Sequence, residues 1–271
     1  MSGPGAAPPA AAELFGDRLD LAVRYAELLA TAGVERGLIG PRESDRLWER
    51  HLLNCAVLAE VVPEPRSDRS ALTVVDVGSG AGLPGIPLAL VRPDLAVTLL
   101  EPMERRCRFL TEVVAELGLA EQVSVLRGRA PDIARTPTPG VPARGFDVAV
   151  ARAVAPLERL GAILLPLVRR RGVMLAMRGS RVFAELQDAR GGLESQGWHE
   201  VEVVTCGAGL VEEPTRVLRC VRLPQPARGA GKRQRGDGER HDDRRSRRAA
   251  QPRRAREGGR DQPARGRTRS T

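Results

Sequence analysis

The chain has 271 residues, with 43 Lys+Arg against 34 Asp+Glu and a formal charge of +9. That length holds one large α/β domain plus appendages, and no apolar run reaches the roughly 18 residues a membrane helix needs. Four cysteines (Cys55, Cys107, Cys206, Cys220) form neither a C-x-x-C pair nor a zinc spacing, which argues for buried thiols in a reduced compartment and against a metal site.

Residues 1–10 are rich in Ala and Pro and are expected to be flexible. They lack the basic region followed by an apolar one that marks a secretory leader, so a cytoplasmic protein is expected. Leu14, Leu21, Tyr25, Leu28 and Leu29 recur at helical spacing, and Gly33 supplies a stop, which predicts a helix over 14–29. A second helix is predicted over 44–62, with Leu47, Trp48, His51, Leu52, Cys55 and Leu58 on one side, followed by a linker at Pro63–Arg69.

From Leu72 onward apolar runs alternate with helical patterns, the signature of a doubly wound, mostly parallel sheet. Strands are predicted at 72–77, 96–101, 122–126, 146–151, 171–177, 198–204 and 215–222. Helices are predicted near 85–92, 103–118, 129–135, 156–169 and 181–196. Thr136–Arg144 (TPTPGVPAR) reads as a loop, and the last two strands as an antiparallel hairpin.

The tail differs from everything before it. Residues 224–271 carry 16 Lys+Arg and 6 Asp+Glu, which leaves 27 and 28 in the first 223, so the folded part is near neutral. Alanine is the tail's only aliphatic residue, too little to bury against the ordering entropy, and the tail is expected to be disordered. Two readings of it stand: a tolerated extension, or a segment with nucleic-acid affinity. All but one of the basic residues (Lys232) are Arg, and Ala, Gly and Pro are abundant. Such bias reflects a GC-rich genome, so Arg richness by itself says little about function.

The richest stretch is Val74–Pro87, VVDVGSGAGLPGIP. An apolar strand ending in Gly-x-Gly-x-Gly and passing into a helix brings backbone N–H groups close to a ligand. The dinucleotide pattern G-x-G-x-x-G is also present from Gly80 to Gly85, while no Lys-Ser/Thr follows to make a P-loop. Asp76 at the strand end suits a cationic methionine group better than a pyrophosphate. Pro84 and Pro87 fit a first helical turn. Both features favour S-adenosylmethionine. Glu101 ends the next strand 19 residues after Gly82, where an acid accepts bonds from ribose hydroxyls of either cofactor class.

Four motifs occur in order: Trp48-Glu49-Arg50-His51-Leu52-Leu53-Asn54, DVGSGAGLPGIPLAL, Glu101 with Arg105-Arg106 and Phe109-Leu110, and Ala151-Arg152-Ala153-Val154-Ala155-Pro156-Leu157. Together with Met177-Arg178-Gly179 they make residues 14–222 resemble the RsmG (GidB) methyltransferases, which methylate N7 of a guanine in 16S ribosomal RNA. The resemblance implies a Rossmann-like S-adenosylmethionine-dependent methyltransferase fold, with a mostly parallel seven-stranded sheet and extra N-terminal helices. It divides the chain into a flexible start (1–10), a methyltransferase domain (11–223, with N-terminal helices over 11–62) and a basic tail (224–271).

For the cofactor the resemblance implies contacts from Gly78, Gly80 and Leu83, from Glu101 to the ribose, from Ala130 and Pro131 after the third strand, and from Arg152. The family pattern G-R-A-E is here Gly128-Arg129-Ala130-Pro131-Asp132, with the acid one residue later, so a backbone contact by Ala130 can persist where a side-chain contact cannot. No catalytic acid or base is implied. His51, Asn54 and Arg152 are candidates near the site, with Arg50 beside them. The implied partner is 16S rRNA or the small ribosomal subunit, bound by a monomer without a membrane.

The alternative is an S-adenosylmethionine-dependent methyltransferase acting on another RNA or a small molecule. Absences narrow the reaction: there is no Asn/Asp-Pro-Pro-aromatic motif for exocyclic amines, no Pro-Cys nucleophile and no radical C-x-x-x-C-x-x-C cluster. A dehydrogenase would need a catalytic His or a Tyr-x-x-x-Lys, and Lys232 lies in the tail.

Overall fold

The computed structural model describes residues 3–65, 71–152 and 154–223. The expected disorder of 224–271, and most of the linker at 63–69, lie outside the described residues.

Seven strands form one sheet: β1 (Leu72–Val77), β2 (Leu95–Glu101), β3 (Val123–Arg127), β4 (Phe146–Arg152), β5 (Val168–Arg178), β6 (Trp198–Cys206) and β7 (Thr215–Arg222). Their order is β3-β2-β1-β4-β5-β7-β6. The first five are parallel, and β7 runs antiparallel between β5 and β6. This is the Rossmann-like methyltransferase arrangement that the resemblance implies. Strand order reverses between β1 and β4, where Asp76 pairs with Leu99 on one side and Val150 on the other. A crevice outside the strand ends at such a reversal is where open α/β sheets bind ligands.

Alternate residues supply two apolar layers, as the two-residue strand period requires. Val74, Val97, Leu99, Val148 and Val150 face the N-terminal helices together with α4 (Gly85–Val91) and α5 (Glu104–Glu116). Val75, Val77, Leu100, Ala149 and Ala151 face α6 (Ala130–Ile133), α7 (Leu157–Leu164) and α8 (Val182–Gln196). Trp198 is fully buried and its Nε1 donates to Gly161 O at 3.1 Å, so it belongs to the core.

The N-terminal region departs from the expectation of two continuous helices. A helix begins at Pro9, inside the stretch read as flexible, and ends at Phe15. The chain breaks over Gly16–Arg18, with Gly16 at φ +49, and resumes as a helix over Leu19–Leu28. A wider turn extends this second helix to Gly33. The predicted helix over 44–62 is a relay of short segments: a tight turn at Pro41–Arg46, a wide helical stretch at Leu47–Leu53, an α-turn at Asn54–Ala56 and a tight turn at Val57–Val61.

The other correction concerns α7 and β5. The predicted helix over 156–169 ends at Leu164, because Pro166 has no N–H to continue it, and Leu167 N bonds Leu164 O instead. The strand therefore starts at Val168 rather than 171 and carries a bulge: the register passes from Phe146↔Val168 to Val148↔Val173. Arg171 sits at φ +61 within it, and a Cβ on Gly172 would lie 2.6 Å from Val168 Cγ1.

Candidate active site

The glycine loop is built from two kinds of glycine. Gly78, Gly80 and Gly82 all have positive φ (+76, +60 and +101), which lets the chain double back after β1. A Cβ on Gly82 would stand 2.4 Å from Ile86 Cδ1, and one on Gly85 2.4 Å from Leu99 Cδ2, so these two admit close packing of α4. A Cβ on Gly80 would meet nothing nearer than Gly78 O at 3.8 Å. Gly80 faces open space, as a ligand-facing glycine must. Leu83 is buried beneath the same loop, and Pro84 precedes α4 with Pro87 in its first turn.

Three groups hold the loop from below. Ser79 Oγ donates to Asp76 O at 2.9 Å, and Gly85 N donates to Asp76 Oδ2 at 3.0 Å. Glu101, also buried, accepts from Gly80 N and Met103 N, both at 3.0 Å, with Arg106 Nη1 3.7 Å away. Gly128 N donates to Glu101 O at 3.1 Å, which brings the turn carrying buried Ala130 and exposed Pro131 against the same strand end.

Asp76 is fully buried, and its Oδ1 has no hydrogen-bond partner among the described residues. Burial pushes its carboxyl up to about 7; Glu101 adds to the rise, while Gly85, Ser79 and Arg152 oppose it. A buried, half-partnered carboxylate beneath an open glycine loop suits a cationic ligand, whose charge would offset the desolvation. These residues fit S-adenosylmethionine, whose methionine end carries such charge.

The second wall comes from the N-terminal helices. Arg152, at the end of β4, places Nη2 2.7 Å from His51 Nδ1 and Nη1 3.5 Å from Cys55 Sγ. His51 Nε2 lies 2.9 Å from Glu43 Oε2, and Arg50 Nη1 lies 3.1 Å from Glu43 Oε1. Arginine only donates, so Nδ1 accepts and the ring proton sits on Nε2, facing Glu43. Burial and then the Arg152 charge push the imidazole down to about 4, with Glu43 opposing the fall. His51 is therefore neutral near pH 7.

The predicted site residues thus form two connected sets. Gly78, Gly80, Leu83, Glu101 and Ala130 share the loop side, and His51 with Arg152 forms the helix side. Asn54 turns elsewhere: its Oδ1 accepts from Thr215 Oγ1 at 3.0 Å, tying the N-terminal helices to β7. Arg178 donates through Nη2 to Ala155 O, and Glu158, Glu185 and Asp188 line the groove beside it, so the surroundings of this arginine are acidic.

Tyr25, Glu43 and Cys55 carry site contacts that sequence reasoning missed. Tyr25 is fully buried and its hydroxyl donates to Ala81 O at 2.8 Å. The one available signal was that a tyrosine on an apolar helix face needs a partner for its hydroxyl.

Comparison with known proteins agrees with this architecture. A family model described as rRNA small subunit methyltransferase G matches residues 18–215. The chain is 69% identical over 272 residues to a protein of Frankia alni named ribosomal RNA small subunit methyltransferase G, covering 100% of both chains. A protein of the same name from Frankia casuarinae is 66% identical, over 97% of this chain and 96% of that one. One from Streptomyces avermitilis is 56% identical, over 79% of this chain and 84% of that one.

Proposed function

The chain belongs to the rRNA small subunit methyltransferase G family, and from that premise we propose that it methylates N7 of a guanine in 16S ribosomal RNA. The observation that carries the reading is the open glycine loop over buried Asp76 and Glu101 at the reversal of strand order. When bound, S-adenosylmethionine supplies a methyl group on a sulfonium sulfur.

Gly78, Gly80 and Leu83 would hold the cofactor from the loop, Glu101 would take the ribose hydroxyls, and Ala130 and Pro131 would border the adenine. Asp76 would face positive charge, and Arg152 would close the pocket from β4. Guanine N7 has an in-plane lone pair, so no side chain has to remove a proton from it. The residues work by holding two partners in line and keeping water out. His51 fits that account: held neutral and bonded on both nitrogens, it is a poor general base and a good prop.

N7 lies in the deep, narrow groove of an A-form helix, so the target guanine belongs to a loop or another exposed segment. On the same reading the protein works in the cytoplasm, where ribosomal RNA is made. Among the described residues no helix is long and apolar enough to cross a membrane.

The test is mass-spectrometric mapping of 7-methylguanosine in 16S rRNA from cells with and without this gene. Loss of one modified guanine on deletion is the expected result. An unchanged map would move the substrate to another RNA or a small molecule.

A further inference from the structure

Two side chains eight residues apart and a third 101 residues further on form one chain of hydrogen bonds: Glu43 to His51 at 2.9 Å, and His51 to Arg152 at 2.7 Å. The middle member is 8% exposed, and its ring is fixed by bonds at both nitrogens. Arg152 has few other anchors among the described residues. Its remaining hydrogen bonds, to Cys55 Sγ and Arg50 O, are both 3.5 Å long, and the first goes to sulfur, a weak acceptor. Among the described residues the one short hydrogen bond on this guanidinium goes to an imidazole held in the accepting state by a carboxylate behind it.

We propose that Glu43 and His51 are positioning residues for cofactor binding: they set the place of the Arg152 guanidinium, so the N-terminal segment helps to set affinity for S-adenosylmethionine. The proposal rests on the reading of Arg152 as a cofactor contact. It assigns to His51 an orienting role and to Glu43 the selection of the ring's tautomer. A long, flexible arginine loses rotamer freedom when it binds, and an anchor already in place removes part of that loss.

The experiment is calorimetric binding of S-adenosylmethionine to the full chain and to a small set of variants, with the melting temperature of each recorded. An asparagine carbonyl reaches about where Nδ1 stands, whereas a glutamine amide reaches about where Nε2 stands. His51→Asn therefore keeps an acceptor for Arg152, and His51→Gln loses it. His51→Gln is expected to weaken binding about 10-fold, the order that a lost bond to a charged group produces, with His51→Asn within about 3-fold of the parent. Glu43→Ala, whose side chain is partly exposed, is expected to weaken binding about 3-fold without unfolding the chain.

The decisive comparison is the double variant. His51→Gln combined with Arg152→Ala should bind no worse than Arg152→Ala alone, because the histidine acts only through the arginine. Losses that multiply would overturn the proposal, as would parent-like binding by His51→Gln and Glu43→Ala while Arg152→Ala binds weakly. Parent-like binding by Arg152→Ala would instead overturn the reading of Arg152 as a cofactor contact, and the proposal with it.

Discussion

The Tyr25 hydroxyl donates to the Ala81 carbonyl at 2.8 Å, so a helix outside the βα core holds the crest of the glycine loop. Both groups are buried, and the phenol is far above its usual pKa, chiefly through burial, so it stays a donor. Tyr25→Phe would leave the Ala81 carbonyl without this partner. The expected loss is about 1–3 kcal/mol of stability, with cofactor binding weaker by roughly 5-fold or more. Urea denaturation and calorimetry check both numbers; a variant as stable and as tightly binding as its parent would remove Tyr25 from the loop's support.

Gly85→Ala tests the close approach of α4 to the sheet. The new methyl would stand 2.4 Å from Leu99 Cδ2 and 2.8 Å from Asp76 Oδ2. Overpacking of this kind costs about 1–3 kcal/mol, and here it also strains the Gly85 N–H bond to Asp76. A drop in melting temperature without loss of the folded circular-dichroism spectrum is expected.

Gly80→Asp separates binding from folding. The site is open, so the cost to stability is confined to an unfavourable φ of +60, about 1 kcal/mol, and Asp tolerates that region better than most residues. Binding of S-adenosylmethionine should nevertheless disappear, because the new carboxylate occupies the space the ligand needs. Unchanged calorimetric binding would sink the assignment of this loop.

Asp76 and His51 give opposite pH dependences. Asp76 is raised from 3.8 to about 7, so the folded chain keeps a proton that the unfolded one releases. Its stabilising contribution is complete below about 4 and is lost as pH rises to about 7. His51 is lowered from 6.5 to about 4, so its contribution is complete above about 6.5 and is lost as pH falls to about 4. The two slopes oppose one another across one window. Asp76→Asn should therefore gain stability relative to the parent as pH rises through that window; a difference that stays constant with pH would show that Asp76 ionises normally.

Much of the domain was legible because its signals are local. Six of the seven strands fall within a residue or two of their predicted bounds, since buried parallel strands read as short apolar runs between breakers. β5 was misplaced at its start because Arg169, Arg170 and Arg171 look like a helix end, and the bulge that absorbs them is visible only against β4. Gly78, Gly80, Glu101 and Arg152 could be named from the glycine motif, the strand ends and the family resemblance, and the fold gathers them around the reversal of strand order. Glu43 and Tyr25 could not, because their partners lie 8 and 56 residues away across a fold that spacing does not encode. Asn54 was read toward the site and faces β7, a matter of helix phase that the segmented stretch from Pro41 to Val61 changes.

The position of β7 bears on how the protein is made. β6 pairs with β7 and not with β5, yet β7 follows it in the sequence. A growing chain released up to Cys206 would carry a strand with no partner in the sheet, and Asn54 would wait for Thr215. Chain synthesis runs at roughly 5–20 residues per second, so this interval lasts about a second or more. The helix wall that carries His51 gains its Asn54–Thr215 bond to β7 only once that strand has left the translating ribosome.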